Sequence, residues 1–298
     1  MEITMRLKRF IRTTALSFLA AATVLTSGAL TGCSKSEDSR QTDADGKDQE
    51  DSKNQKDDDK SNPTPTAAAQ DENDDASEKV DLSDTVRWFN ASYAILTELN
   101  GWDYTIFAGA NPGLMMRGNM QSMLEESWGV TDRASADETL DWILTEGHRY
   151  GFADDMTYLE ECGLGEIAAD GRIAFILENF DVSQEDAEFY VNTYAMYEAY
   201  GTEAIDAWDY CRAMNLMGFF YLAGYYTETE ALDTSLDIAK VLQAKFGSWD
   251  ALVDSYLRGY EYWAEESSDA RREVYEDLKK RDDNPYSVNY NTELTKTW

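Results

Sequence analysis

Apolar residues recur at spacings of three and four from Asp81 onward, which is the period of an amphipathic α-helix. The longest such run lies between Gly201 and Gly218, where nearly every helical face is apolar. This pattern predicts a helix that begins at Glu203, is capped by Thr202 and lies in the middle of a bundle. The apolar residues Phe219 to Leu222 suggest that the helix continues past Gly218.

Cap signals divide the rest of the chain into further helices. Expected helix starts lie at Ser83, Asn111-Pro112, Ser135, Ser183, Thr227 and Ser248. Two of these, Ser135–Glu138 and Thr227–Glu230, have the spacing of a capping box. The charged stretch Arg271–Arg281 keeps apolar residues at helical spacing and predicts a surface helix. With only 4 prolines in the chain, the pattern predicts an all-α domain, a single bundle of about eight helices over residues 81–298.

The N-terminus has the pattern of a secretory signal. Four basic residues fall within the first twelve, and an uncharged run of apolar and small residues follows them up to Cys33. Leu30-Thr31-Gly32-Cys33 resembles the lipobox of bacterial lipoproteins, which implies removal of residues 1–32 and acylation of Cys33, for instance with palmitate. The sequence thus predicts a lipid anchor on the extracytoplasmic face of the cell membrane. An uncleaved membrane-spanning helix is the alternative, and inner versus outer membrane stays open.

Residues 33–80 connect this cysteine to the helical part. From Ser34 to Lys79 the chain has no aromatic residue and no Leu, Ile or Val, and it is rich in Asp, Lys, Ser and Gln. Such a segment has too little apolar surface to offset the entropy of ordering, so it predicts a disordered acidic linker.

Charge restricts the partners of the helical part. Residues 81–298 contain 15 Lys and Arg against 42 Asp and Glu, a net charge of −27. A field of this sign repels nucleic acid and anionic lipid headgroups and attracts cations and basic partners. We therefore expect a protein or cationic partner and no nucleic acid, while the oligomeric state stays open.

Three short motif clusters resemble an uncharacterised bacterial family, domain of unknown function 1266. They are Trp128-Gly129-Val130 with Gly147-His148-Arg149 and Phe152, then Ala207-Trp208-Asp209 with Arg212, then Ser248-Trp249 with Tyr256, Gly259 and Trp263. The similarity covers about residues 120–265. It implies a helical domain of no established activity, so it assigns no catalytic residue.

Four polar residues stand out on these apolar helices: His148, Arg149, Asp209 and Arg212. Asp209 and Arg212 lie on adjacent turns of one helical face, and Arg212 needs a carboxylate or carbonyl partner if it is buried. His148 lies just past a helix end expected at Gly147, where a cation would interact with the last carbonyls and could also link to Asp209 or Glu146. We predict that the four form a polar cluster with a structural or binding role.

Catalytic chemistry is less well supported. His148 is the single histidine, which excludes a multi-histidine zinc site, and no nucleophile-elbow pattern accompanies it. Cys162 and Cys211 are the remaining thiols, and bonded and free states both stay open. We predict no metal and no cofactor.

The leading hypothesis for function is a binding module without enzymatic activity. The alternative is a wall-directed hydrolase that uses carboxylates and an aromatic groove, drawing single acids from pairs such as Glu125-Glu126, Asp154-Asp155, Glu160-Glu161 and Glu265-Glu266.

Overall fold

A computed structural model describes residues 82–298, and every regular element in that range is helical. The all-α prediction is confirmed. The expectations for residues 1–81, namely the signal segment, the lipidation of Cys33 and the linker, lie outside the described residues.

Eleven α-helices follow one another along the described range. They are α1 Asp84–Ser92, α2 Ala94–Leu99, α3 Leu114–Trp128, α4 Arg133–Thr145, α5 Gly147–Glu161, α6 Arg172–Asn179, α7 Gln184–Tyr200, α8 Asp206–Ala223, α9 Glu228–Lys245, α10 Trp249–Ala264 and α11 Asp269–Leu278. Short 3-10 turns occur at Phe107–Gly109, Leu164–Glu166, Ala169–Gly171 and Pro285–Ser287. The count exceeds the predicted eight by three, because Tyr93 interrupts the first helix and because α5 and α6 were not assigned from the sequence.

Helix α8 occupies the centre of the bundle, as its apolar pattern predicts. Fifteen of its eighteen residues are buried, and it packs against α3, α4, α9 and α10. The predicted start is wrong, since Thr202 does not cap the helix and Asp206 is its first residue. The helix continues through Gly218, as predicted. A Cβ at this position would lie 2.8 Å from the Ala108 Cα, so glycine is what allows the Phe107–Gly109 turn to pack against the helix.

A side-chain cap marks the start of five of the ten other helices described. The reciprocal box of Thr227 and Glu230 is confirmed, and Ser183 forms a similar box with Asp186. Ser83 and Ser248 also accept backbone hydrogen bonds as predicted.

Two predicted starts are wrong. Helix α3 begins at Leu114 after Gly113, because Asn111 provides no side-chain cap and the chain stays extended beyond Pro112. Helix α4 begins at Arg133, because Asp132 takes the cap position. The Ser135 hydroxyl accepts a hydrogen bond from the Asp132 backbone amide.

Two apolar clusters form most of the interior. The larger surrounds α8, and the smaller joins α5, α6 and α7 around Phe152, Leu159 and Tyr194. Helix α5 contributes to the second cluster while its first turn contacts α8. None of the helices described between residues 82 and 298 has the length and apolar character required to cross a bilayer.

Candidate functional site

The carboxylate of Asp209 is the centre of the polar cluster, and its side chain has no exposed surface. One oxygen, Oδ1, lies 3.0 Å from Nδ1 of His148. The other, Oδ2, accepts hydrogen bonds from the Arg149 backbone amide at 2.8 Å and from Arg149 Nη1 at 3.2 Å. The first turn of α5 thus encloses a carboxylate that α8 carries into the interior.

Gly147 makes this approach possible for two reasons. Its φ is +63°, a conformation that glycine adopts without strain. A Cβ at this position would lie 2.3 Å from Oδ2 of Asp209, closer than any side chain tolerates. The expected helix end before Gly147 is correct, but a new helix starts at Gly147 itself.

Arg149 joins three elements through one guanidinium. Besides Asp209, it donates to the carbonyl oxygen of Ile143 at 2.7 Å and to that of Leu144, both in the last turn of α4. A cation at this helix end was expected, and Arg149 supplies it. His148 forms the expected link to Asp209.

The protonation states follow from burial and from these contacts. Burial alone would raise the pKa of Asp209, but the hydrogen bonds from His148 and the Arg149 amide outweigh it, so the pKa lies below its ordinary value. Burial, together with the charge of Arg212, lowers the pKa of His148 despite the nearby Asp209. His148 is therefore neutral at pH 7, and its Nδ1 carries the proton because a carboxylate can only accept.

Arg212 does not pair with the carboxylate of Asp209, although the two residues lie on adjacent turns of α8. No carboxylate lies within ion-pair distance of Arg212 among the residues that the structure describes. Its Nη1 lies 3.4 Å from His148 Nδ1, but that nitrogen already donates to Asp209. Asp209 is directed toward α5, so the two side chains of adjacent turns diverge.

Three indole rings surround the Arg212 guanidinium instead. Its central carbon lies 4.4 Å from the ring centre of Trp128, 4.8 Å from that of Trp208 and 5.4 Å from that of Trp263. Cation–π attraction stabilises the charge there. Burial still lowers the pKa of Arg212 to about 10, which leaves it protonated at neutral pH.

The cluster has no reactive arrangement around His148. Within the described chain, no hydrogen bond joins this histidine to a Ser, Thr or Cys side chain. Cys162 and Cys211 are both free thiols, and burial raises the pKa of Cys211 above its ordinary value. No group of three potential metal ligands occurs among residues 82–298. The geometry is that of a closed structural junction.

Among the four adjacent acid pairs, only Asp154-Asp155 has one exposed and one buried member. Seven of the eight carboxylates in these pairs lie on exposed residues, and Asp155 is buried. The Tyr262 hydroxyl donates to Asp155 at 2.9 Å. Burial raises the pKa of Asp155 to about 7.

One surface groove places two carboxylates beside two tyrosines, the combination that a hydrolase would use. Its lining includes Glu160, Gly165, Tyr194, Tyr197 and Glu198, and we name it the Tyr194 groove. Hydrogen bonds from Arg172 lower the pKa of Glu198, so Glu198 stays ionised and is unsuited to the role of general acid. The sequence named Glu160 as a candidate acid, but the grouping could not be found from it, since α5, α7 and the Leu164–Glu166 turn contribute the lining separately.

The three motif clusters noted in the sequence converge around α8. Trp128, Trp208 and Trp263 meet at Arg212, while His148 and Arg149 meet at Asp209. Gly259 belongs to the same packing, because a Cβ there would lie 2.1 Å from Cβ of Trp208. The shared motifs therefore describe how α3, α5, α8 and α10 fit together.

Comparison with known proteins agrees with this picture. No curated protein and no solved structure matches the chain. The family model described as Protein of unknown function (DUF1266) matches residues 123–290, which extends the predicted similarity toward the C-terminus and includes all three motif clusters. The chain therefore belongs to the family of unknown function DUF1266.

Proposed function

We propose that this protein is a membrane-tethered binding module, held by lipid on Cys33 outside the cytoplasm, whose helical domain binds a basic partner. The observation that carries the proposal is the charge of the helical part, with 42 acidic and 15 basic residues from 81 to 298. A net charge of −27 accelerates association with cationic partners and repels anionic ones.

The distribution of the cations strengthens this argument. Nine of the fifteen Lys and Arg side chains form ion pairs with carboxylates inside the described part of the chain. Arg212 is enclosed by indole rings. Most of the positively charged side chains are thus paired or enclosed within the domain, so the surface available to a partner is predominantly anionic.

The buried cluster supports binding over catalysis. Asp209 is fully buried, and its oxygens are already occupied by His148 and Arg149. A catalytic carboxylate must instead reach substrate. We therefore assign these residues to the framework and assign function to the surface.

Two measurements on the full chain test this function. Labelled palmitate should be incorporated by the wild type and not by Cys33→Ala, which should also leave the membrane fraction. Membranes that carry the wild type should retain a labelled oligolysine peptide, and added salt should weaken this binding because it screens exposed charge. Retention of oligoglutamate to the same extent, or no retention of oligolysine, would contradict the proposed partner class.

A further inference from the structure

The start of α3 carries the two most exposed large apolar side chains in the described part of the chain. Leu114 is 89% exposed and Met115 is 81% exposed. Residues 111–113 before them and 117–119 after them are exposed as well, and we name residues 111–119 the α3 tip. Single apolar residues are common on protein surfaces, but two adjacent ones that are almost bare indicate a contact that the domain alone does not make.

The α3 tip stands away from the neighbouring helices. A Cβ on Gly113 or on Gly118 would contact nothing within 4 Å, so the space beside both residues is open. Farther along α3, Met120 and Leu124 are buried in the larger apolar cluster. The second half of the helix therefore holds the tip in place while the apolar side chains of the first turn are left in solvent.

Charge distinguishes the α3 tip from the rest of the domain. Residues 104–124 contain no Asp or Glu, which is the longest such stretch in the strongly acidic residues 81–298. Arg117 is the single charged residue in this stretch, and it is exposed. Among residues 82–298, no carboxylate lies within ion-pair distance of its guanidinium. The tip is thus an apolar surface with a positive charge, on a domain whose net charge is −27.

This combination suits the surface of a lipid bilayer. Apolar side chains are stabilised at the boundary between headgroups and acyl chains, and a cation beside them is attracted to lipid phosphate. The acidic remainder of the domain is repelled by anionic headgroups, so the α3 tip is the side that can approach them. A basic protein partner would bind elsewhere, because Arg117 repels it at the tip.

The proposed lipid on Cys33 supplies the membrane. The linker predicted over residues 34–80 would span roughly 40 Å as a relaxed coil, which lets the domain turn its tip toward the bilayer. Such a tether keeps the effective concentration of the two surfaces high. A contact that is too weak to hold a free protein is then populated, and two apolar side chains provide a contact of that kind.

We propose that the α3 tip inserts into the headgroup region of the membrane that holds the lipid of Cys33. Leu114 and Met115 contact the acyl chains there, and Arg117 contacts lipid phosphate. This inference rests on the lipid anchor of the proposed function, and it adds which side of the domain faces the membrane. The acidic surface is thereby directed away from the bilayer, where a basic partner can reach it.

The test measures fluorescence quenching in phosphatidylcholine vesicles that hold the purified lipidated chain and carry a doxyl quencher near the lipid headgroup. A nitrobenzoxadiazole probe is attached at Met115→Cys or, as the control, at Tyr150→Cys. Both chains also contain Cys162→Ser, so that only the chosen thiol reacts while Cys211 stays buried. The same vesicles without the doxyl lipid give the reference emission.

The control position lies at the opposite end of α8 from the tip. Tyr150 is 65% exposed and follows Arg149, which contacts Asp209 near the start of α8. At the other end of α8, a Cβ on Gly224 would lie 2.9 Å from Nε of Arg117. Quenching at the tip should exceed quenching at the control by about threefold or more, since only the tip enters the headgroup region.

A second substitution in the labelled chain tests the apolar contact itself. Leu114→Asp should abolish the difference between the two probe positions, because a carboxylate resists transfer into lipid. Leu114→Phe should retain the difference, since it keeps an apolar side chain. Leu114 is almost fully exposed, so neither change disturbs the interior, and melting temperatures check this.

The possible results separate the inference from the proposed function. Equal quenching at the two probe positions, or no quenching at the tip, would overturn the inference. Self-quenching of the tip probe that rises with protein density, without quenching by the doxyl lipid, would assign the surface to a second copy of the chain instead. If labelled palmitate is not incorporated at Cys33, the proposed anchor fails and the inference falls with it.

Discussion

Two arginine–carboxylate contacts in this molecule have similarly buried arginines, but their carboxylates differ in exposure. Arg149 and Arg172 are both largely buried, with 13% and 9% of the side chain exposed. The carboxylate of Asp209 is fully buried, whereas 42% of the Glu198 side chain is exposed. The first contact stabilises a junction of helices, and the second leaves its anion at the edge of a groove. The exposure of the carboxylate therefore distinguishes a contact that holds helices together, at Asp209, from one at the surface, at Glu198.

The largest expected effect distinguishes these two carboxylates directly. Asp209→Ala leaves Arg149 and His148 without their buried acceptor, and we expect it to lower the free energy of unfolding by about 3–5 kcal/mol. Glu198→Ala should cost less than about 1 kcal/mol, because water reaches that contact. Urea unfolding of both variants measures the difference. Similar costs would show that carboxylate burial does not separate the two regions.

A third carboxylate, Asp155, is buried like Asp209 but has no cation beside it. Burial raises its pKa to about 7, whereas an aspartate in an unfolded chain titrates near about 4. The folded state therefore binds its proton more tightly, and this stabilisation is complete below about pH 4 and lost as pH rises through about 7.

Asp155→Asn removes this titration and keeps an oxygen that can accept from Tyr262. We expect the variant to be more stable than the wild type by about 2–4 kcal/mol at pH 8, with the difference disappearing toward pH 4. Thermal unfolding followed by circular dichroism across this range tests the sign. A difference that is the same at every pH would assign the effect to packing and not to ionisation.

Replacing Arg212 tests whether the position between the three indole rings requires a positive charge for stability. Asp209 keeps both of its partners when Arg212 is replaced, so Arg212→Met should change stability by no more than about 1 kcal/mol. Methionine fills a similar space between the three tryptophan rings. A loss above about 3 kcal/mol would mean that Arg212 balances the charge of Asp209 after all.

The smallest effect concerns the hydroxyls of Tyr194 and Tyr262, both buried. Tyr194→Phe removes a hydroxyl that has no protein partner, so stability should increase by up to about 1 kcal/mol. Tyr262→Phe should decrease stability, because that hydroxyl donates to Asp155 at 2.9 Å. Melting temperatures measured side by side report both signs. A decrease for Tyr194→Phe would indicate that the groove hydroxyl is structurally paired.

The sequence was sufficient for the helical class and for the central position of α8, because apolar periodicity and cap residues act locally. It also identified the members of the polar cluster. The sequence could not show which of these residues pair. Asp209 and Arg212 lie on one helix face, but Asp209 contacts Arg149 and Arg212 contacts Trp128.

Helix α5 was missed because its start, Gly147 to Gly151, contains two glycines and lacks a cap signal. Its first turn is held by a residue of another helix, since the Asp209 carboxylate accepts a hydrogen bond from the Arg149 backbone amide. The sequence offered Glu160 as a candidate acid but did not reveal the Tyr194 groove, for a similar reason. Its oxygens and its glycine come from three separate elements, and an unpaired hydroxyl is recognised only in three dimensions.

The attachment of Arg149 to both the last carbonyls of α4 and the carboxylate of α8 has a consequence for how the bundle opens. Because one side chain closes the end of α4 and fastens the beginning of α5 to the core, neither end can fray alone. Backbone amides on the two sides of Gly147 should exchange with deuterium in the same opening event as those of the innermost helix, and far more slowly than amides at the other helix ends.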